Sequence, residues 1–98
     1  MIKSFYSKET EKVWVGLRSA LLPNGIQETA RRKLRMLNNS MDLKDLTIPP
    51  SNKLEKLKGN LKEYFSIRIN DQWRITFKWK DGHSYNVDII DYHLVLMR

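Results

Sequence analysis

Five side chains in the second half of the chain have the chemistry needed to act on a phosphodiester: Glu55, Lys58, Arg74, Tyr92 and His93. Cleavage of RNA by its own 2′-hydroxyl needs a base for the 2′ proton, cations to neutralise the phosphorane, and an acid for the 5′ oxygen. Histidine suits the acid or base role, lysine and arginine suit the phosphate, and tyrosine can stack on a base or position the hydroxyl. By pattern alone, a lone histidine near the end of the chain is more often incidental than catalytic.

Other kinds of reaction find no support in the sequence. It contains no glycine-rich phosphate loop, His-Glu-x-x-His motif, cysteine pair or Gly-x-Ser-x-Gly elbow. With no cysteine, and with only His83 and His93 as histidines, a structural metal site is not expected. We therefore predict neither a metal nor a cofactor. No apolar run approaches the ~20 residues that span a bilayer, and the lack of cysteine fits a reducing cytoplasm.

The net charge of +7 gives a field that attracts polyanions, and nucleic acid is the most common polyanion in the cytoplasm. A basic surface also aids solubility, so this alternative stays open. Arg68 could equally pair across strands with Asp88 or Glu63, and an arginine cluster on a helix is also typical of a solvated face. The candidate RNA contacts are three helical arginines and three cations on or beside strands: Arg31, Arg32, Arg35, Lys56, Arg68 and Lys78.

The second half of the chain predicts an antiparallel meander of three strands. Apolar and polar residues alternate over 65–69, 73–79 and 85–89, which is the period of half-buried strands. The Asp81-Gly82 pair favours a hairpin turn because both residues tolerate positive φ, and His83 is expected in that turn. The aromatic residues of the meander fit core packing better than a base-stacking platform.

The first half predicts elements that cover one side of this sheet. A short strand over 1–6 precedes a helix that is capped by Ser7 and ends near Leu22, before the breakers that follow. A second helix is expected over 26–38, and two prolines make 48–51 an extended connector that leads to an irregular edge. The predicted class is therefore α+β, with an N-terminal strand and two to three helices packed on a small antiparallel twisted sheet. One domain spans 1–98, with 94–98 as an extra C-terminal tail.

Several motifs together resemble one protein family. They are Met1-Ile2-Lys3-Ser4-Phe5, Lys58-Gly59, Ser66-Ile67 with Gln72-Trp73-Arg74-Ile75-Thr76-Phe77, and Asp91-Tyr92-His93. In this order and combination they look like the HigB branch of the RelE superfamily of bacterial toxins, over essentially residues 1–93. The resemblance implies a compact RelE-like fold and a metal-independent endoribonuclease that cuts mRNA codons in the ribosomal A site. It also implies neutralisation by a HigA-like antitoxin with a helix-turn-helix domain.

The resemblance also assigns roles to the candidate residues. It implies that Lys58 and Arg74 stabilise the charge of the scissile phosphate, that Tyr92 aligns the nucleotide, and that His93 is the acid–base residue. Some relatives have a catalytic histidine where this chain has Glu55, so either Glu55 is the base or His93 and Lys58 act without it. The main alternative in function is a non-catalytic module that binds RNA or the ribosome, because the positive charge would serve both.

Overall fold

The computed structural model describes residues 1–93, and the tail that the sequence adds at 94–98 lies outside the described residues. Its centre is an antiparallel sheet of four strands in the order β1-β2-β3-β4. The strands are β1 (Glu55–Lys56), β2 (Tyr64–Arg68), β3 (Trp73–Lys80) and β4 (His83–Asp91). The predicted meander is therefore confirmed, and β1 is the expected irregular edge.

The β3–β4 hairpin turns through Asp81 and Gly82, whose φ angles are +53° and +80°. Two successive positive φ angles match the right-handed twist of the flanking strands, which explains the choice of these residues. The turn is shorter than predicted, because His83 already pairs with Lys80 as the first residue of β4. The expectation that His83 lies in the turn was wrong.

Helix α1 (Lys8–Trp14) begins where predicted, since the Ser7 hydroxyl accepts the backbone N–H of Thr10. It ends eight residues earlier than Leu22, so the predicted length was wrong. Gly16 takes a φ of +90°, which right-handed helix does not allow. Leu21, which the predicted helix would have included, is 79% exposed.

Helix α2 (Asn24–Asn39) agrees with the prediction and lies over the sheet. Its apolar face is fully or nearly buried, through Ile26, Ala30, Leu34 and Leu37. These residues join one core with side chains from the facing side of the sheet, among them Ile67, Ile75, Phe77 and Ile89. The rings of Phe65 and Trp79 pack on Phe77 with centroids 6.1 and 6.3 Å away, so these aromatic residues serve packing.

The N-terminal segment, predicted as a strand over 1–6, pairs with β4. It runs parallel to β4 through two isolated bridges, Ile2 with Ser84 and Phe5 with Val87, rather than as a continuous strand. Between α2 and β1 lie two 3-10 helices, Leu43–Thr47 and Pro50–Asn52. In the second one, the backbone N–H groups of Asn52 and Lys53 donate to the carbonyls of Pro49 and Pro50. The prediction of an extended connector over 48–51 was therefore wrong in its latter half.

The architecture is α+β, as predicted, with both α-helices on one face of the sheet. The opposite face, here called the polar face, is defined by one cross-strand row, Glu55, Ser66, Thr76 and Asp88, and by the neighbouring Arg74. No helix within residues 1–93 is long and apolar enough to cross a membrane.

Candidate active site

Arg74 is the centre of the candidate site. It lies inside β3 on the polar face, and only 6% of it is exposed. Its Nη1 atom donates to the Ser66 hydroxyl at 2.7 Å and to the Lys53 carbonyl at 3.1 Å. The same nitrogen is 3.4 Å from Oε2 of Glu55. A buried cation needs such partners, because leaving it unpaired costs far more than any single hydrogen bond returns.

Glu55 and Tyr92 complete a group with Arg74, here called the Arg74 cluster. The Tyr92 hydroxyl donates to Oε2 of Glu55 at 2.8 Å, and the guanidinium lies 4.6 Å from the centre of the tyrosine ring. Burial, followed by the hydrogen bond to Glu55, raises the pKa of Tyr92 above its ordinary value. Tyr92 therefore keeps its proton and holds the Glu55 carboxylate against the cation.

Lys58 and His93 flank the Arg74 cluster without joining it. Both side chains are exposed, and within residues 1–93 neither forms a side-chain hydrogen bond or an ion pair. Lys58 follows Glu55 by three residues, so their Cα atoms are at most about 11 Å apart. His93 follows Tyr92 directly, and its backbone N–H donates to Oδ1 of Asp91 at 3.0 Å. Chain connectivity thus keeps both residues beside the cluster.

The predicted RNA contacts are divided between the two sides of the sheet. Lys56 is exposed on β1, and Lys78 pairs with Glu63 at 3.4 Å while lying 5.4 Å from the centre of the Tyr64 ring. Helix α2 covers the other face, so Arg31, Arg32 and Arg35 lie on the opposite side of the sheet from the Arg74 cluster. Arg31 uses Nε to bind the Val13 carbonyl of α1 at 2.9 Å, Arg32 donates to Thr29, and Arg35 is exposed.

Arg68 lies between these two groups. Its guanidinium pairs with Asp71, so the suggested pairing with Asp88 or Glu63 was wrong. Asp71 follows Arg68 by three residues in the sharp turn after β2. The two side chains can therefore pair without any contact between distant parts of the chain. Arg68 also contributes, after burial and Arg32, to lowering the pKa of Lys33 on α2. It therefore belongs electrostatically to the helical basic group as well as to the strand edge.

Ser66 and the Lys53 carbonyl are site components that sequence reasoning missed. Ser66 is fully buried in β2, where alternation between Phe65 and Ile67 places it on the polar face. That pattern, a small hydroxyl residue diagonal to an arginine across two strands, was a usable signal. No sequence pattern pointed to the Lys53 carbonyl, which belongs to a residue with a φ of +45°. Among residues 1–93, no group of histidine and acidic side chains could hold a metal ion.

The chain is similar to known toxins in sequence and to solved structures in fold. A family model described as RelE-like toxin of type II toxin-antitoxin system HigB matches residues 2–93. Toxin HigB-1 of Vibrio cholerae is 45% identical over 69 residues, which cover 70% of this chain and 73% of that protein. Endoribonuclease HigB of Proteus vulgaris is 29% identical over 93 residues, which cover 95% of this chain and 100% of that protein.

Two solved structures share the fold at low sequence identity. YafQ from E. coli has a TM-score of 0.61 at 15% identity and covers 97% of this chain and 98% of its own. The YoeB dimer from Staphylococcus aureus has a TM-score of 0.54 at 20% identity, with 94% and 97% covered. These two likenesses establish the arrangement of helices and strands.

Proposed function

The chain belongs to the HigB-like branch of the RelE-like toxins of type II toxin-antitoxin systems, and from this premise we propose that it is a ribosome-dependent endoribonuclease. Its substrate would be mRNA, cut at codons in the ribosomal A site, which places its action in the cytoplasm. The observation that carries the proposal is the Arg74 cluster, in which a cation, a carboxylate and an aromatic ring meet on one face of a basic domain.

The hydrogen bonds of Arg74 leave part of its guanidinium for a phosphate. Within the described residues, the contacts of Arg74 with Ser66, Lys53 and Glu55 all involve Nη1. The other two guanidinium nitrogens, Nε and Nη2, are not among the fully buried atoms that lack a partner. We infer that those two nitrogens are left to donate to the non-bridging oxygens of the scissile phosphate. Because Arg74 is already held in place, it would stabilise the phosphorane with little reorganisation.

The proton transfers follow from the positions of Glu55 and His93. The Glu55 carboxylate, 45% exposed, would take the 2′ proton as the 2′ oxygen attacks phosphorus. His93, protonated, would give its proton to the departing 5′ oxygen, so that the products are a 2′,3′-cyclic phosphate and a free 5′-hydroxyl. Tyr92 would align the nucleotide and Lys58 would add positive charge at the phosphate. Glu55 is preferred as the base because it contacts Arg74, whereas Lys58 does not.

Substitution in cells tests this assignment. Arg74→Ala and His93→Ala should each relieve the growth arrest caused by induced expression, and new mRNA ends at A-site codons should disappear. Lys44→Ala is the control, because it removes an exposed positive charge on the 3-10 helix Leu43–Thr47, outside the Arg74 cluster. A wild-type chain that arrests growth without new mRNA ends would instead be a non-catalytic ribosome-binding module. Growth arrest that persists in both site variants would refute the residue assignment.

The family also supports an antitoxin as the partner, and we propose that it is a HigA-like protein with a helix-turn-helix domain. Coexpression of the neighbouring reading frame should restore growth and yield a complex that copurifies with the toxin. A neighbouring gene whose product neither binds nor restores growth would remove this part of the proposal.

A further inference from the structure

A groove on the polar face lies directly beside the Arg74 cluster and is unused by the reaction proposed above. Its volume is about 320 Å³, and two tyrosines, two asparagines and an aspartate supply most of its polar lining: Tyr6, Tyr64, Asn60, Asn86 and Asp88. Its floor includes Thr76 and Ile90. Ile90 pairs with Arg74 and Thr76 is two residues further along β3, so the groove begins about 7 Å from Arg74.

A β-bulge builds one wall of this groove. Thr76 pairs with Asp88 and Lys78 with Tyr85, so two residues of β4, Asn86 and Val87, oppose one residue of β3. Asn86 takes a φ of +51°, which non-glycine residues adopt rarely and asparagine tolerates best. Bulges next to active sites commonly redirect a side chain. Here the bulge keeps Val87 in the core and turns Asn86 toward the groove.

The redirected side chain has fixed neighbours. The Asn86 amide nitrogen is 3.4 Å from the Tyr64 hydroxyl, and the amide oxygen is 3.4 Å from the Ser4 hydroxyl. The backbone N–H of Asn86 donates to the same Ser4 hydroxyl at 2.8 Å. Asp88, which pairs with Thr76 beyond the bulge, accepts hydrogen bonds at Oδ1 from the hydroxyls of Ser7 and Thr10. Within residues 1–93 its Oδ2 atom takes no hydrogen bond. The second amide N–H of Asn86 and Oδ2 of Asp88 are therefore left for a ligand in the groove.

The lining favours a nucleobase over a phosphate. No lysine or arginine lines the groove among the described residues, and the Asp88 carboxylate would repel an anion. Asparagine amides match the edges of bases, and a carboxylate oxygen accepts from an exocyclic amino group. Tyr6, which is 72% exposed, offers a free ring face of the kind on which unpaired bases stack.

From this arrangement we propose that the groove is a nucleobase subsite, which holds the base of a nucleotide adjoining the scissile phosphate and prefers amino-bearing bases to uracil. The inference rests on the proposed function, because the RNA must enter beside Arg74. The subsite would give the toxin part of its nucleotide preference from its own side chains, in addition to what the ribosome imposes on the codon.

The cleavage profile tests the subsite. Asn86→Gly removes the amide without strain at its positive φ, and Tyr6→Ala removes an exposed ring. Asn86→Gly should lower the discrimination against uracil at one position of the cut codon by about tenfold, which is the usual range for losing a base contact. Tyr6→Ala should instead slow cleavage by about tenfold whichever base occupies that position, because stacking hardly depends on the identity of the base. Lys44→Ala is again the control and should leave the profile unchanged. Unchanged discrimination in Asn86→Gly, or an unchanged cleavage rate in Tyr6→Ala, would overturn the proposal.

A binding experiment separates failure of the subsite from failure of the proposed function. His93→Ala protein, labelled with ¹⁵N, is titrated with the trinucleotides AAA and UUU while the side-chain amide of Asn86 is followed by NMR. The subsite predicts a larger shift of this signal with AAA, whether or not the wild-type protein cuts RNA. Equal shifts, or none with either trinucleotide, would refute the subsite even if the protein proves to be an endoribonuclease.

Discussion

Glu55→Gln and Glu63→Gln form a matched pair that measures how much the Arg74 cluster contributes to stability. Each removes one carboxylate charge that lies 3.4 Å from a cation, Arg74 in the first case and Lys78 in the second. The two ion pairs differ in burial, because the cationic side chain is 8% exposed for Arg74 and 39% for Lys78. Glutamine keeps an oxygen that can accept the Tyr92 hydroxyl, so the change isolates the charge.

The expected magnitudes follow from this difference. An exposed pair such as Lys78 with Glu63 contributes about 0.5 kcal/mol or less. Removing one member of a fully buried pair costs about 3–5 kcal/mol. Glu55 is half exposed, and the Ser66 hydroxyl and the Lys53 carbonyl still accept from Arg74 after the change. We therefore expect Glu55→Gln to lower the free energy of unfolding by about 1–2 kcal/mol.

Thermal unfolding of the two variants provides the measurement. For a domain of this size the loss corresponds to a Tm lower by about 5–15 °C for Glu55→Gln, against less than about 4 °C for Glu63→Gln. At about 1 M salt the smaller difference should vanish while the larger one persists, because buried pairs are screened less. Equal losses, or a higher Tm for Glu55→Gln, would refute the claim that Glu55 compensates a buried cation.

The same variant also has a predicted effect on activity. If Glu55 takes the 2′ proton, glutamine should slow cleavage by about 10²–10⁴-fold at a temperature where the protein is fully folded. Unchanged cleavage by a folded Glu55→Gln protein would transfer the base role to His93.

Three further predictions concern parts of the fold around the site. The raised pKa of Tyr92 means that its contribution to stability is complete below its ordinary pKa near 10 and is lost as the pH rises through the higher native value. Tyr92→Phe should therefore flatten the decline in the free energy of unfolding above about pH 10. Gly82→Ala should cost about 1–2 kcal/mol in urea unfolding, because a φ of +80° strains any side chain, and an unchanged midpoint would contradict this. Arg31→Met removes the hydrogen bond to the Val13 carbonyl and should cost about 1 kcal/mol in the same assay, whereas a neutral result would mean that water replaces it.

The sequence predicted the sheet and α2 well because both depend on repeated patterns. Strict alternation sets which face each residue of β3 occupies, and Asp81-Gly82 allows only a narrow choice of turn. The end of α1 was missed because the decisive feature is one residue, Gly16, whose φ depends on where the following loop is anchored. That anchor is the Gln27 side chain, which binds the Ser19 backbone at both N–H and carbonyl. A contact between two elements leaves no periodic trace in a sequence.

The same distinction applies to the candidate site. Alternation placed Arg74 on the polar face, but a polar face was expected to be open, and burial of Arg74 was not foreseen. Its burial results from contacts with residues distant in sequence: the carboxylate of Glu55 at the sheet edge and the ring of Tyr92 after β4. Such contacts depend on how β1, β3 and β4 are arranged in the sheet, which no local sequence pattern specifies.

The residues of the candidate site differ in how firmly the sheet holds them. Arg74 lies on β3, which is paired along both edges, and its guanidinium is fixed by Ser66. Glu55 lies on β1, which pairs with β2 at only two positions and continues directly toward Lys58. Because local opening is easiest where few backbone hydrogen bonds hold the chain, β1 is the part of the site most able to move. In the proposed reaction, Arg74 would therefore be the fixed reference for a phosphate, and Glu55 with Lys58 would form the edge that adjusts to the bound strand.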